Sequence, residues 1–212
     1  MDLISEHFYV WERRDDVPAH VKQVVDAIRG KVEGHRRLRA ELENLNGRKI
    51  PIAMDEWNYW FRPYEYGELG CVYELRDALG IAAGLHEYFR NSDVIEMAHY
   101  AQTVNVIGCI KTTKTNAFLD STALPLLLYR REFGTTPLAV TGDHDERSLD
   151  VSAARTEDGR AITVGIVNPN GKEQAVQVTI DGVDAGSTAT VWRIAGDDPT
   201  AHNTADEQPV DI

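Results

Sequence analysis

Short apolar runs alternate with longer stretches of helical periodicity over residues 1–136, and this pattern predicts alternating strands and helices. The apolar runs predict strands at 3–10, 50–54 and 93–100. Apolar positions at helical spacing predict helices at 18–45, 69–89 and 121–133. Three successive strand–helix units imply parallel strands joined by helical crossovers. Such units form either an open sheet or the last three of the eight units of a (β/α)8 TIM barrel.

The first predicted helix has recognisable end signals. Asp15 and Asp16 precede Pro18, so either carboxylate can cap the helix, and proline suits the first helical turn. Asn46 and Gly47 follow the last apolar position of the helix, where a left-handed residue commonly ends one.

Residues 137–212 are instead rich in Val, Thr, Gly, Asn and Asp, and their apolar positions alternate with polar ones. Alternation predicts strands at 162–166, 176–180 and 189–194, with a hairpin turn at Asp158-Gly159. This pattern is typical of a small antiparallel β-sandwich. The predicted fold class is thus α/β plus all-β: the end of a barrel in residues 1–136, followed by a C-terminal sandwich domain in 137–212.

Charge and cysteine content restrict the class of partner. The net charge of −12 leaves no excess of Lys and Arg for phosphates, which argues against nucleic-acid or anionic-membrane partners. A neutral sugar is compatible with this surface, as are many other ligands. Cys71 and Cys109 form no metal-type cluster, so two buried reduced thiols are expected.

The first residues say little about where the parent protein works. No stretch long and apolar enough for a transmembrane helix occurs, and no signal peptide opens the chain. Residues 2–7 run directly into the first predicted strand, so a longer parent protein is expected, and a cytoplasmic location is the prediction.

Glu56 is the first candidate for chemistry, because it follows a compact apolar run at a predicted strand end. Strand alternation places Ile52, Met54 and Glu56 on one face, which would point into a barrel, with Glu56 in its top layer. The alternative is an acid that caps the next segment or pairs with an arginine. By the same alternation Asp55 points away and serves as a structural hydrogen-bonding partner.

Other polar and aromatic residues near predicted strand ends are candidates for substrate binding. Trp57 and Trp60 either stack against sugar rings or bury area between loops and helices. His7 and Tyr9 share a parity and face either a pocket or the core. Gln102 follows the third strand, where its amide suits either hydroxyl recognition or loop anchoring.

The sequence lacks the signatures of several other chemistries. It has no Gly-x-Ser-x-Gly elbow, no phosphate-binding Walker loop, no dinucleotide-binding glycine motif and no His-Glu-x-x-His spacing. No cofactor and no metal are therefore expected.

Four segments together resemble glycoside hydrolase family 51, the α-L-arabinofuranosidases. They are 5–9 (SEHFY), 52–60 (IAMDEWNYW), 80–86 (GIAAGLH) and 97–108 (MAHYAQTVNVIG). The resemblance covers essentially the whole chain, with the segments in the family's order. It implies that the three strands are the sixth to eighth of a barrel and that the family's C-terminal sandwich follows.

The resemblance also implies roles. Glu56 matches the catalytic nucleophile, Tyr9 a tyrosine beside it, Gln102 a substrate-binding glutamine and His7 a pocket histidine. The implied activity is retaining hydrolysis that releases terminal α-L-arabinofuranosyl residues from arabinose-containing saccharides, by an enzyme that is a homo-oligomer when complete.

One departure from the family is large. The family's acid/base glutamate lies in a Gly-Asn-Glu motif, which this sequence does not contain. Glu6 is a candidate replacement. However, alternation along the strand places its side chain on the side opposite His7 and Tyr9, so it should point away from the pocket. The chain is therefore expected to be a C-terminal portion, inactive alone. The alternative is a non-catalytic carbohydrate-binding or assembly module derived from that family.

Overall fold

The computed structural model describes residues 2–61, 70–143, 145, 147–183 and 186–212. Its first part contains β1 (Ile4–Val10), α1 (Val17–Glu41), β2 (Ile52–Tyr59), α2 (Leu75–Arg90) and β3 (Ile95–Tyr100). A short hairpin, β4 (Ile110–Thr112) and β5 (Ala117–Leu119), precedes α3 (Ala123–Glu132). The chain then forms β6 (Thr136–Leu138), β7 (Asp150–Arg155) and β8 (Ile162–Val167).

The first sheet has the order β1-β2-β3, and both neighbouring pairs are parallel. Because α1 connects β1 to β2 and α2 connects β2 to β3, the predicted parallel strands with helical crossovers are confirmed. The second helix begins at Leu75 among the described residues, whereas its predicted start, residue 69, lies outside them. The hairpin of β4 and β5 was not predicted.

The ends of α1 follow the sequence signals. The Asp16 carboxylate accepts a hydrogen bond from the Ala19 amide at 2.9 Å and caps the helix, with proline in the first turn. The α-helix ends at Glu41, earlier than predicted, and a 3-10 turn continues to Leu45. Asn46 and Gly47 then take left-handed conformations, with φ of 50° and 74°, and terminate this segment as expected.

The main core lies between the parallel sheet and the two helices that cross it. Ile52 and Met54 of β2 are buried in one cluster with Val24 and Ile28 of α1. The prediction that Ile52 and Met54 face the interior of a barrel is therefore wrong. Their face of β2 packs against the helices, which removes their apolar surface from water.

The second sheet is antiparallel, with the order β6-β7-β8. The strand at 162–166 and the Asp158-Gly159 turn are confirmed, and Gly159 has the positive φ of 69° that such a turn favours. Residues 176–180 and 189–194 form no strand, so these two predictions are wrong. An alternating pattern yields a stable strand only where a neighbouring strand pairs with its backbone and another layer covers its apolar side, and Val191 is 80% exposed.

Two further observations bear on the sequence predictions. Cys71 and Cys109 are both free thiols; Cys71 is buried and Cys109 only partly so. Among the helices within the described ranges, none is long and apolar enough to cross a membrane.

Candidate functional site

A β-bulge in β2 determines where its two adjacent acidic side chains point. Met54 pairs with Ala98 and Trp57 with Tyr100, so Asp55 and Glu56 together oppose the single residue His99. Opposite β1 the pairing also skips Asp55. Two residues facing one is the mark of a bulge, which places both carboxylates on the same side of the sheet.

The bulge overturns the simple alternation that the sequence predicts. Asp55 does not point away from Glu56; its carboxylate lies 3.5 Å from the His99 ring, on the same face. Conversely, Ile52 and Met54 lie on the helix side while Glu56 lies opposite, because the extra residue between them shifts the parity. The expected hydrogen-bonding role of Asp55 has a partner in His99, although not on the expected face.

Glu56 meets two side chains of β1. The Tyr9 hydroxyl donates a hydrogen bond to the Glu56 carboxylate at 2.5 Å, and the nearest His7 ring nitrogen lies 3.9 Å from it. Burial of the Tyr9 hydroxyl, together with its hydrogen bond to this carboxylate, raises the pKa of Tyr9 well above its usual value. Glu56 itself remains 46% exposed, so a ligand on this face can reach it.

The structure thus brings together three residues that the sequence singled out. His7 and Glu56 are paired in register across β1 and β2, and Tyr9 follows two residues later on the same side. A carboxylate held by a phenol and open to solvent is chemically suited to act as a nucleophile or as an acceptor for a sugar hydroxyl.

Glu6 lies on the opposite side of β1. Its carboxylate pairs with the Lys31 ammonium of α1, and its register partner is the buried Met54. The prediction that Glu6 points away from the pocket is confirmed. It is therefore no replacement for a second carboxylate beside Glu56.

The two tryptophans after Glu56 differ in position. Trp57 is 1% exposed, and its ring packs on the helix side, between Tyr88 and the backbone of Gly84. The predicted contact of Trp57 with substrate is therefore not supported, and the alternative of buried area applies to it. Trp60 is only partly buried and packs edge-on against Tyr9, with ring centroids 5.0 Å apart.

Gln102 lies directly after β3, and the peptide bond that precedes it is cis. Its side chain is exposed, and its amide donates to the carbonyls of Val104 and Asn105 at 3.3 and 3.4 Å. Among the described residues, no hydrogen bond joins it to Glu56. The structure therefore places Gln102 on the loop that follows the neighbouring strand, folded back onto that loop.

Sequence reasoning missed Asn58, which is fully buried two residues after Glu56. Its amide nitrogen lies 2.9 Å from the Tyr73 hydroxyl, 2.6 Å from the Ala101 carbonyl and 2.8 Å from the Ile107 carbonyl, and its two N–H groups are shared among these three acceptors. A polar residue within an otherwise buried stretch was the available signal, because a buried amide requires hydrogen-bond partners.

The chain is similar in sequence to known proteins. Residues 55–211 match the family model described as the α-L-arabinofuranosidase C-terminal domain. A probable α-L-arabinofuranosidase C from Aspergillus flavus is 35% identical over 179 residues, which cover 76% of this chain and 35% of the fungal protein. The intracellular exo-α-(1→5)-L-arabinofuranosidase of Halalkalibacterium halodurans is 25% identical over 197 residues, or 82% of this chain and 39% of that protein.

The fold is also similar to that of a solved structure. The α-L-arabinofuranosidase of Thermotoga maritima, determined as an arabinose complex, superposes with a TM-score of 0.80 at 24% identity. The match covers 100% of this chain and 47% of that chain. The chain therefore spans about a third of the length of the curated relatives and about half of that of the solved structure.

Proposed function

Since this chain belongs to the α-L-arabinofuranosidases of glycoside hydrolase family 51, whose C-terminal domain it matches, we propose that it carries the nucleophile of a retaining arabinofuranosidase. Glu56 is the proposed nucleophile. The observation that carries the proposal is its geometry: a half-exposed carboxylate on the open face of a parallel sheet, hydrogen-bonded by Tyr9. His7 and Gln102 are proposed to contact the arabinofuranosyl ring.

The proposed reaction has two steps. The Glu56 carboxylate attacks the anomeric carbon while the bond to the leaving oxygen breaks, and a second carboxyl group gives that oxygen its proton. Water, activated by the same second group, then displaces Glu56 and completes the hydrolysis with retention. Tyr9 stabilises the carboxylate before attack and after release, because its hydroxyl can donate to the anion.

The second carboxyl group must lie about 5–5.5 Å from the nucleophile in a retaining enzyme. Asp55 shares the face of Glu56 but is paired with His99, and Glu6 is paired with Lys31 on the far side. Since the sequence contains no Gly-Asn-Glu motif, we propose that a polypeptide segment other than these residues supplies the acid/base. The 212-residue chain alone is therefore proposed to be inactive.

The decisive experiment uses a hybrid in which the N-terminal part of a fungal relative, with its own acid/base carboxylate, precedes this chain. A 2-fluoro-arabinofuranosyl substrate with an activated leaving group should label Glu56 covalently, as read by peptide mass mapping. In Glu56→Gly, added azide should restore turnover and give the product of inverted configuration. Asp55→Asn is the matched control and should keep the label on Glu56.

A different labelled residue would overturn the nucleophile assignment. An unlabelled but folded hybrid would favour the second candidate, a non-catalytic carbohydrate-binding or assembly module. The missing Gly-Asn-Glu motif is the observation that favours this alternative.

We also propose that residues 137–212 form the β-sandwich domain that the sequence predicts. Val164 and Ile166 leave an apolar side of β8 exposed, and Val176 and Val191 are exposed in the segment that follows. A sheet normally buries one apolar face, and these exposed side chains would cover each other if the segment packed against β8 as a second layer. Faster amide exchange in β8 after truncation of the chain at Gly171 would support this packing.

The remaining proposals concern ligand, assembly and location. Arabinofuranosyl-containing saccharides are the proposed ligands, in line with the arabinose complex of the Thermotoga maritima relative. A homo-oligomeric complete enzyme and a cytoplasmic location are also proposed. The printed name of the Halalkalibacterium halodurans relative describes that protein as intracellular.

A further inference from the structure

We propose that Asn58 is a positioning residue that fixes the loop carrying Gln102 to the strand carrying Glu56. The inference rests on the proposed function only for the roles of Glu56 as nucleophile and of Gln102 as a substrate contact. Its physical basis is the buried Asn58 amide, which donates to the Ala101 carbonyl at 2.6 Å, and this carbonyl belongs to the peptide that leads into Gln102.

The orientation of the Asn58 amide is determined by its neighbours. The oxygen accepts from the Tyr59 backbone amide at 2.7 Å, while the nitrogen faces the carbonyls of Ala101 and Ile107. Those carbonyls can only accept, so the reversed amide would place oxygen against oxygen. The side chain therefore has one orientation, in which it joins β2 to both ends of the segment 101–107.

Tyr73 reinforces this connection. Its hydroxyl accepts from the Asn58 amide and lies 2.8 Å from the Tyr59 carbonyl and 3.2 Å from the Ile107 carbonyl, to either of which it can donate. Asn58 and Tyr73 are both fully buried, so these bonds form where water does not compete. Asn58 and Tyr73, joined by a hydrogen bond, thus together hold the far end of the loop near β2.

Glu56 and Asn58 lie on the same side of β2, because their register partners, His7 and Tyr9, are two residues apart on β1. A shift of Asn58 would therefore change the distance between the candidate nucleophile and Gln102 without changing either residue. Positioning at this level matters, because catalysis depends on reacting groups held within a fraction of an ångström.

The test replaces the amide donors while it keeps the shape of the side chain. In Asn58→Asp, a carboxylate oxygen would face the Ala101 and Ile107 carbonyls, so the loop should detach from β2. Exchange of the Cys109 and Ile110 amides, which bond to the Gln102 and Thr103 carbonyls, should accelerate at least about tenfold. The Trp60 amide, which bonds β2 to β1, should exchange as before.

Asn91→Asp is the matched control. Asn91 is also a buried asparagine with two donated hydrogen bonds, both to Glu87 at the far end of α2. Its replacement should leave the exchange of the Gln102 loop unchanged at a comparable loss of stability. Acidification should partly restore the loop in Asn58→Asp alone, because burial raises the pKa of the introduced acid and its protonated form can donate again.

If Asn58→Asp does not fold, Tyr73→Phe provides the second variant, since it keeps the ring and removes the hydroxyl that bonds Asn58 and Ile107. Faster exchange confined to the loop would support the proposal. An unchanged loop in a folded Asn58 variant, or an equal change in the Asn91 variant, would overturn it. Neither readout needs turnover, so a label on a residue other than Glu56 would refute the proposed function and leave this inference standing.

Discussion

Replacing Asp150 by asparagine is expected to destabilise the protein by roughly 2–4 kcal/mol at pH 7, because Asp150 joins α2 to the antiparallel sheet through buried charges. The His86 ring donates to Asp150 at 2.5 Å, and Arg90 forms two hydrogen bonds to it at 2.6 and 3.1 Å. The Asp150 side chain is only 6% exposed, so water screens these contacts little.

The lower bound of the magnitude comes from the acidity of Asp150. Burial alone would raise its pKa, but His86 and Arg90 outweigh it and lower the pKa to about 2, from 3.8 for an ordinary aspartate. The difference corresponds to roughly 2 kcal/mol. Burial lowers the pKa of His86, so Arg90 is the charged partner. Since the folded state binds this proton less tightly, the stabilisation is present above pH ~4 and is lost as pH falls toward 2.

Urea unfolding followed by circular dichroism, at several pH values between 3 and 7, measures both effects. The wild type should lose stability on acidification more steeply than Asp150→Asn. Asp93→Asn is the control, because Asp93 pairs with Arg36 at the exposed start of β3, and it should cost under about 1 kcal/mol. A loss below about 1 kcal/mol for Asp150→Asn, or identical acid profiles, would refute this reasoning.

Two further predictions concern packing and a second buried acid. Gly80→Ala should lower the free energy of unfolding by about 1–3 kcal/mol, because the new methyl group would overlap the Tyr59 hydroxyl. In Gly30→Ala, the control, the methyl group meets nothing within 4 Å and should stabilise α1 slightly. Thermal unfolding measures both variants. Burial raises the pKa of Asp120 to about 7, although Lys111 lies nearby. The free energy of unfolding should therefore fall as pH rises from about 4 to 7. In Asp120→Asn, urea unfolding at a series of pH values should show no such fall.

The larger elements of the fold could be predicted because their hydrophobic periods are long. Val24, Ile28 and Val32 of α1 repeat at helical spacing and are buried. The short hairpin of β4 and β5 could not be predicted in this way, since three residues per strand are too few to show a period. Its position depends on tertiary contacts such as the buried Phe118.

Some features of the candidate site could likewise be predicted from the sequence, and others depend on tertiary structure. The pairing of Tyr9 with Glu56 follows from strand ends that meet at one edge of a parallel sheet, and a sequence can indicate that. The burial of Trp57 and the anchoring role of Asn58 depend on which face each residue takes after the bulge. The polar–apolar pattern of β2 does not reveal the extra residue of the bulge, because Asp55 and Glu56 are both polar.

Single-residue deletions test this account of the bulge directly. Deleting a strand residue normally turns every side chain on one side of the cut to the opposite face. Deletion of Asp55, the extra residue, should instead leave Trp57 in the core and Glu56 beside Tyr9, at the cost of the His99 contact. Unfolding free energy should then fall by less than about 2 kcal/mol, by analogy with the loss of a partly exposed pair.

Deletion of Ala53 provides the contrast. To keep Trp57 in the core, the shortened strand would have to turn Ile52 away from α1, or else give up the bulge and turn Met54 away from α1. Exposure of either buried side chain costs about 1.5–3 kcal/mol, so this variant should be less stable than the Asp55 deletion. Equal stability of the two deletions would mean that Asp55 is an ordinary strand residue. The placement of Glu56 would then need another explanation.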